Sequence, residues 1–199
     1  MELFLSTYLK MFFIMTPFFV LSVFLTVTSD ATIEEKRKLA IKVTISVIIM
    51  AFILLFFGEH IFSIFGITLD AFKIGAGALL FVTAIGLIYG NKDGQKLNDK
   101  NLQELAVVPL ALPITIGPGT IGILLVFGIE FQSFQAKLTA GFALLFAILT
   151  IGTMLYLSSL IEKLIRKEGL LIISKITGLI LSALSAQIMF TGIKGFFNL

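Results

Sequence analysis

Residues 106–121 read A-V-V-P-L-A-L-P-I-T-I-G-P-G-T-I. The stretch is apolar enough to lie in a bilayer, yet it carries Pro109, Pro113, Gly117, Pro118 and Gly119. A proline inside a helix removes a backbone donor and clashes with the preceding turn, at a cost of ~3 kcal/mol in water. A continuous straight helix is therefore not expected. Gly117-Pro118-Gly119 reads as a break, with Pro118 at the first position of a new half-helix. The chain has 4 prolines, and the remaining one, Pro17, interrupts a second apolar run. There Thr16 reads as the N-cap and Pro17 as the first helical residue. Both breaks fall near the middle of their runs.

The rest of the chain says what those runs are. Of its 199 residues, 58% are hydrophobic and 14% charged. Mean hydropathy is +1.07. Disorder needs the opposite composition, and so few polar residues do not cover a soluble surface. Six apolar segments stand out, at 3–28, 40–58, 68–90, 105–128, 138–161 and 169–197. Each is long enough to cross ~30 Å of hydrocarbon as a helix. The runs are continuous, without the alternation of an outer-membrane barrel. The expectation is an all-α membrane protein, one transmembrane domain over 1–199. The first run lacks a basic n-region and a cleavage site, so it reads as a retained span rather than a signal peptide.

Lysine and arginine set the orientation. Lys10, Lys73, Lys137 and Lys194 fall on one side; the other lysines and all arginines cluster at the opposite ends of the spans. The positive-inside rule then places the odd-numbered loops in the cytoplasm and both termini outside, in the inner (cytoplasmic) membrane. The two halves, about 1–98 and 99–199, echo each other. Thr16-Pro17 matches Gly117-Pro118, and Lys73-Ile74-Gly75 matches Lys175-Ile176-Thr177-Gly178. With three spans per half, the second half is inserted upside down, which makes two inverted three-helix repeats with spans 1 and 4 broken near the midplane.

Each break aims the unpaired N–H groups of a half-helix into the membrane centre. Two such ends form a site for a carboxylate without a charged side chain. Phe18 and Phe19 adjoin the first break and are expected to wall a pocket. Gln187 is the largest intramembrane polar side chain and the best secondary lining candidate. Thr83, Thr150, Thr153, Ser182 and Ser185 read as helix–helix hydrogen-bonding residues, and Gly75, Gly77 and Gly178 as points of close helix contact. The chain has no Cys and one His. That excludes disulfides, a cysteine nucleophile and a multi-histidine metal site. No H-E-x-x-H, G-x-S-x-G or P-loop is present. No enzyme activity, catalytic residue, metal or cofactor is expected, and no nucleic-acid partner. Glu59-His60 reads as a polar pair at a helix end, and no acid or histidine lies near the middle of a span, so no carboxylate proton relay is visible.

These motifs resemble the MarC family, also called the SnatA or neutral amino acid transporter family. The resemblance is strongest at 106–121, at F-K-I-G-A-G-A-L-L-F (72–81) and at K-I-T-G-L-I-L-S-A-L-S-A-Q-I-M-F-T-G-I (175–193). It implies six spans, external termini and inverted repeats. It also implies transport of glycine, alanine and other small neutral amino acids, in some members coupled to protons. Carried over by residue, the implied site is Thr16, Pro17 and Phe18 with Pro113, Gly117, Pro118, Gly119 and Thr120. One motif departs: 16–22 reads T-P-F-F-V-L-S where many relatives resemble D-P-F-G-N-I-P. Thr16 replaces an acid and Phe19 a glycine, which bears on proton coupling, substrate identity and pocket width. The expectation is a secondary transporter of glycine or alanine that alternates access around a midplane site. Its partners are the amino acid, the bilayer, protons if it is coupled, and other copies if it is oligomeric. An exporter of another small solute and an accessory subunit without transport remain the alternatives. Gly119→Leu is expected to abolish transport with folding largely intact.

Overall fold

The computed structural model describes residues 2–89, 115–131 and 133–197. Among them the chain is helical, with no strand. The helices are α1 (Glu2–Ile14), α2 (Pro17–Val27), α3 (Ile33–Phe65), α4 (Leu69–Tyr89), α5 (Pro118–Glu130), α6 (Phe134–Tyr156) and α7 (Ser158–Phe197). Five segments are long and apolar enough to cross a membrane: Glu2–Val27, Ile33–Phe57, Leu69–Tyr89, Phe134–Tyr156 and Glu168–Phe197. Gly119–Glu130 is a shorter apolar helix. The run before it, with Pro109 and Pro113, lies outside the described residues.

Helix α3 shows why the medium must be lipid. One face, Ala40, Val43, Val47, Ala51 and Leu55, is buried in the bundle. The other face is a ridge of Ile41, Ile45, Ile49 and Ile53, each about half exposed. A helix apolar on all sides is stable only where its outer face also meets an apolar medium.

Close approach holds the bundle together. A side chain at Gly77 on α4 would meet the Ser185 carbonyl of α7 at 3.0 Å, and one at Gly178 on α7 would meet the Ala84 carbonyl of α4 at 3.0 Å. Small residues let two backbones approach in this way and gain dispersion contact without a hydrophobic driving force. Gly75 differs from its neighbour, because nothing lies within 4 Å of its missing Cβ. It is not a contact point, contrary to the sequence expectation. Helix α4 also packs on α5, α3 packs on α5 and α6, α1 on α6, and α2 on α7.

Two helices exceed the spans expected of them. Helix α3 starts at Ile33 because Thr32 and Glu35 form a reciprocal cap: the Thr32 N–H donates to the Glu35 carboxylate at 2.8 Å and the Glu35 N–H to the Thr32 hydroxyl at 3.3 Å. The T-x-x-E signal for this box is in the sequence. Helix α7 begins at Ser158, so the charged stretch up to Gly169 is helix rather than connection. Its Glu, Lys, Leu, Ile and Arg residues are strong or tolerant helix formers, and no Gly or Pro interrupts them before Gly169.

Helix α1 also does not follow a straight first span. The Phe4 ring lies edge-on to Phe146 at 5.8 Å, and the Tyr8 and Thr150 hydroxyls share a 3.1 Å hydrogen bond. Ile14 meets Thr120. Both contacts between α1 and α6 are offset by 142 residues, so the two helices advance together from Phe4 to Tyr8.

Candidate functional site at the helix junction

The first interruption is built by backbone geometry. Met15 still donates to the Met11 carbonyl at 3.0 Å, and Thr16 turns back to Phe13 at 3.0 Å. Thr16 then takes φ 49°, ψ 57°, the left-handed region. Pro17 opens α2, and the first bond of the new helix is Val20 N–H to Thr16 C=O at 3.0 Å. The N–H groups of Phe18 and Phe19 therefore have no acceptor within the helix. Thr16 occupies the N-cap position as expected, but its side chain makes no capping bond. Capping threonines work from extended backbone, and this one is left-handed.

The start of α5 differs in detail. Gly117 is extended (φ −78°, ψ 172°) and Pro118 opens α5. Ile121 N–H closes the first turn on the Gly117 carbonyl at 2.9 Å. Gly119 and Thr120 are left with free N–H groups by the same rule. The buried Thr120 hydroxyl donates to the Ile14 carbonyl at 3.4 Å. This bond crosses 106 residues of sequence. It satisfies a carbonyl at the open end of α1 and seats the start of α5 against the end of α1.

The Thr120–Ile14 bond thus brings the start of α5 to the end of α1 at one junction, two residues from Thr16 in sequence. Thr16 and Pro17 are buried beside it, and Gly119 and Thr120 stand across from them. Gly119 is pressed on α4: an added Cβ would lie 2.9 Å from the Leu80 Cα. A leucine there displaces a helix, so the expectation that Gly119→Leu spares folding is corrected. The half-buried Phe18 stands edge-on to Phe12, 6.3 Å away, across the break. Phe19 packs against the hydrophobic core. Pro113 lies outside the described residues.

A cleft of about 120 Å³ lies between α1, α4, α5 and α7. That is ample for water, one of which needs only ~15 Å³. Ile14 lines it, so the cleft reaches the junction. Gln187 lines it too, with Thr191, as expected for the secondary candidate; neither Phe18 nor Phe19 does. Its charged lining is Lys10, Lys73 and Glu130. The Lys73 ammonium and the Glu130 carboxylate pair at 2.9 Å, linking α4 to α5. Lys73 is 8% exposed, so its partner is essential: an unpaired ammonium at that burial is strongly unfavourable. Sequence reasoning missed this pair. The two residues are 57 apart and each sits near the end of its own apolar run, so no spacing rule connects them.

A family model described as MarC family integral membrane protein matches residues 1–197. The UPF0056 membrane protein YhcE of Escherichia coli K12 is 32% identical, over 96% of this chain and 91% of its own length. UPF0056 membrane protein MJ1677 of Methanocaldococcus jannaschii is 31% identical over 98% of both chains, and PH0760 of Pyrococcus horikoshii is 32% identical over 98% and 96%. No solved structure matches. A whole-chain family match, relatives of nearly equal length and an all-helical lipid-facing bundle agree, and the chain belongs to the MarC family of integral membrane proteins.

Proposed function

We propose that the protein is a secondary transporter of small neutral amino acids such as glycine or alanine, without catalysis, and that the junction of the two interrupted spans is its binding site. The observation that carries this reading is the Thr120–Ile14 hydrogen bond, which joins the end of α1 to the start of α5; α2 and α5 each open on two N–H groups with no acceptor in their own helix. Such ends favour a carboxylate. Alternating access is supported by the packing. Helix α4 on α5 has its counterpart in α7 on α2, and the α4–α7 pair is related to itself, as a pseudo-twofold between inverted repeats requires. Lysine placement assigns the α2–α3 end to the cytoplasm of the inner membrane and the α5–α6 end, with the cleft, to the outside. Transport then consists of one repeat rocking against the other around the junction.

The test is counterflow of radiolabelled glycine into proteoliposomes that hold this protein alone and are preloaded with unlabelled glycine. Accumulation suppressed by alanine is expected. Thr120→Val should lower it on the order of tenfold, the equivalent of one hydrogen bond of about 1.4 kcal/mol, while Thr120→Ser retains it. Sealed, loaded vesicles that accumulate nothing sink the reading.

A further inference from the structure

We propose that the cleft lined by Lys10, Lys73 and Glu130 is an outward selectivity site that admits solutes carrying an ammonium and a carboxylate together, and turns away solutes that carry only one of them. The proposal rests on the transport reading above and adds a second site to it, on the route to the junction.

Three observations carry it. The first is connection. Ile14 lines the cleft and its carbonyl receives the Thr120 hydroxyl, so the cleft ends where α1 meets the start of α5. The second is charge. The lining has two ammonium groups and one carboxylate, in walls otherwise formed by residues such as Ile123, Phe127 and Ile188. Low-dielectric walls strengthen every charge interaction inside them. A lone cation entering this cleft meets Lys10 and Lys73. A lone anion gains one contact, with the exposed Lys10, because Lys73 is committed to Glu130 at 2.9 Å. A zwitterion matches both signs: its carboxylate faces the exposed Lys10 and its ammonium faces Glu130. The third is economy of burial. Glu130 keeps one oxygen on Lys73 at 2.9 Å, and a carboxylate has acceptor capacity left for a second ammonium. The buried lysine thus stays paired while the solute passes.

The experiment is competition against glycine counterflow by glycine, alanine, acetate and methylamine, the last two being the halves of glycine. Acetate and methylamine are expected to compete at least about tenfold more weakly than alanine, the loss of one charge-assisted contact. E130Q should bring glycine down to the level of acetate, and K10Q should bring it down to the level of methylamine. Because E130Q also strips Lys73 of its partner, K10Q carries the test if E130Q does not fold. K194Q, which removes a charge outside the cleft lining, should change nothing. A pair that only ties α4 to α5 would lower counterflow of all solutes in parallel and leave the competitor order untouched. That result, or an unaltered order in K10Q, overturns the cleft proposal and leaves transport standing. If the unaltered protein shows no counterflow, equilibrium dialysis of labelled glycine against detergent-solubilised protein separates the two ideas. Binding that K10Q weakens about tenfold keeps the cleft and removes the transporter; no binding removes both.

Discussion

Thr16 concentrates the local chemistry of the junction. It is a β-branched residue at φ 49°, a conformation that costs an L-residue roughly 1–2 kcal/mol. Its side chain returns no capping bond. Glycine adopts the same backbone without steric penalty but loses more freedom on folding. Thr16→Gly should therefore raise stability by up to about 1 kcal/mol, seen as a higher thermal midpoint by circular dichroism in detergent. Thr16→Val, which keeps the branch and drops the hydroxyl, should not raise it. A clear loss of stability in Thr16→Gly would mean that the threonine side chain contributes more than its backbone costs.

Among the helices, the α4–α7 contact is set by single atoms. Gly75 and Gly77 are two residues apart on α4 and look alike in the sequence. A Cβ at 77 would meet the Met189 Cγ at 2.5 Å and the Ser185 carbonyl at 3.0 Å, whereas one at 75 meets nothing. Gly77→Ala should destabilise the bundle by about 1–3 kcal/mol, the usual range for overpacking. Gly75→Ala should be neutral or stabilising by up to about 1 kcal/mol, because alanine is the better helix former. Thermal unfolding of the two variants side by side checks the difference in sign. Equal effects would mean that α4 presents another face to α7. The same atomic reading explains why Gly119 tolerates no side chain: a Cβ there meets the Leu80 Cα at 2.9 Å as well as its Cδ1 at 2.8 Å, so moving the side chain alone does not relieve the clash.

For the protein as a unit, the missing cysteines are useful. The chain contains none, so a single introduced thiol reports its own side of the membrane. Ser29 follows α2 and Ser133 precedes α6, both exposed. The proposed orientation has Ser29 on the cytoplasmic side and Ser133 outside. Ser133→Cys should react with an impermeant maleimide in intact cells, and Ser29→Cys only after permeabilisation. Labelling of both from the same side would contradict the crossing of the intervening helices, and the reverse pattern would invert the orientation and turn the cleft to the cytoplasm.

Composition and continuous apolar runs were enough to specify a helical membrane protein, because a backbone in lipid must bond to itself and the lengths match the bilayer. Thr16-Pro17 and Gly117-Pro118-Gly119 marked where helices α2 and α5 begin, since proline and glycine act through their own backbones. The rest depended on residues far apart in the chain. No local rule shows that Thr120 bonds Ile14, that Lys73 pairs with Glu130, or that Gly77 touches α7 while Gly75 does not. Nor does one show that Phe4 and Tyr8 of α1 meet Phe146 and Thr150 of α6. These follow from how helices rotate and cross when their backbones approach, and that geometry is a sum over many weak contacts between elements rather than a property of any one segment.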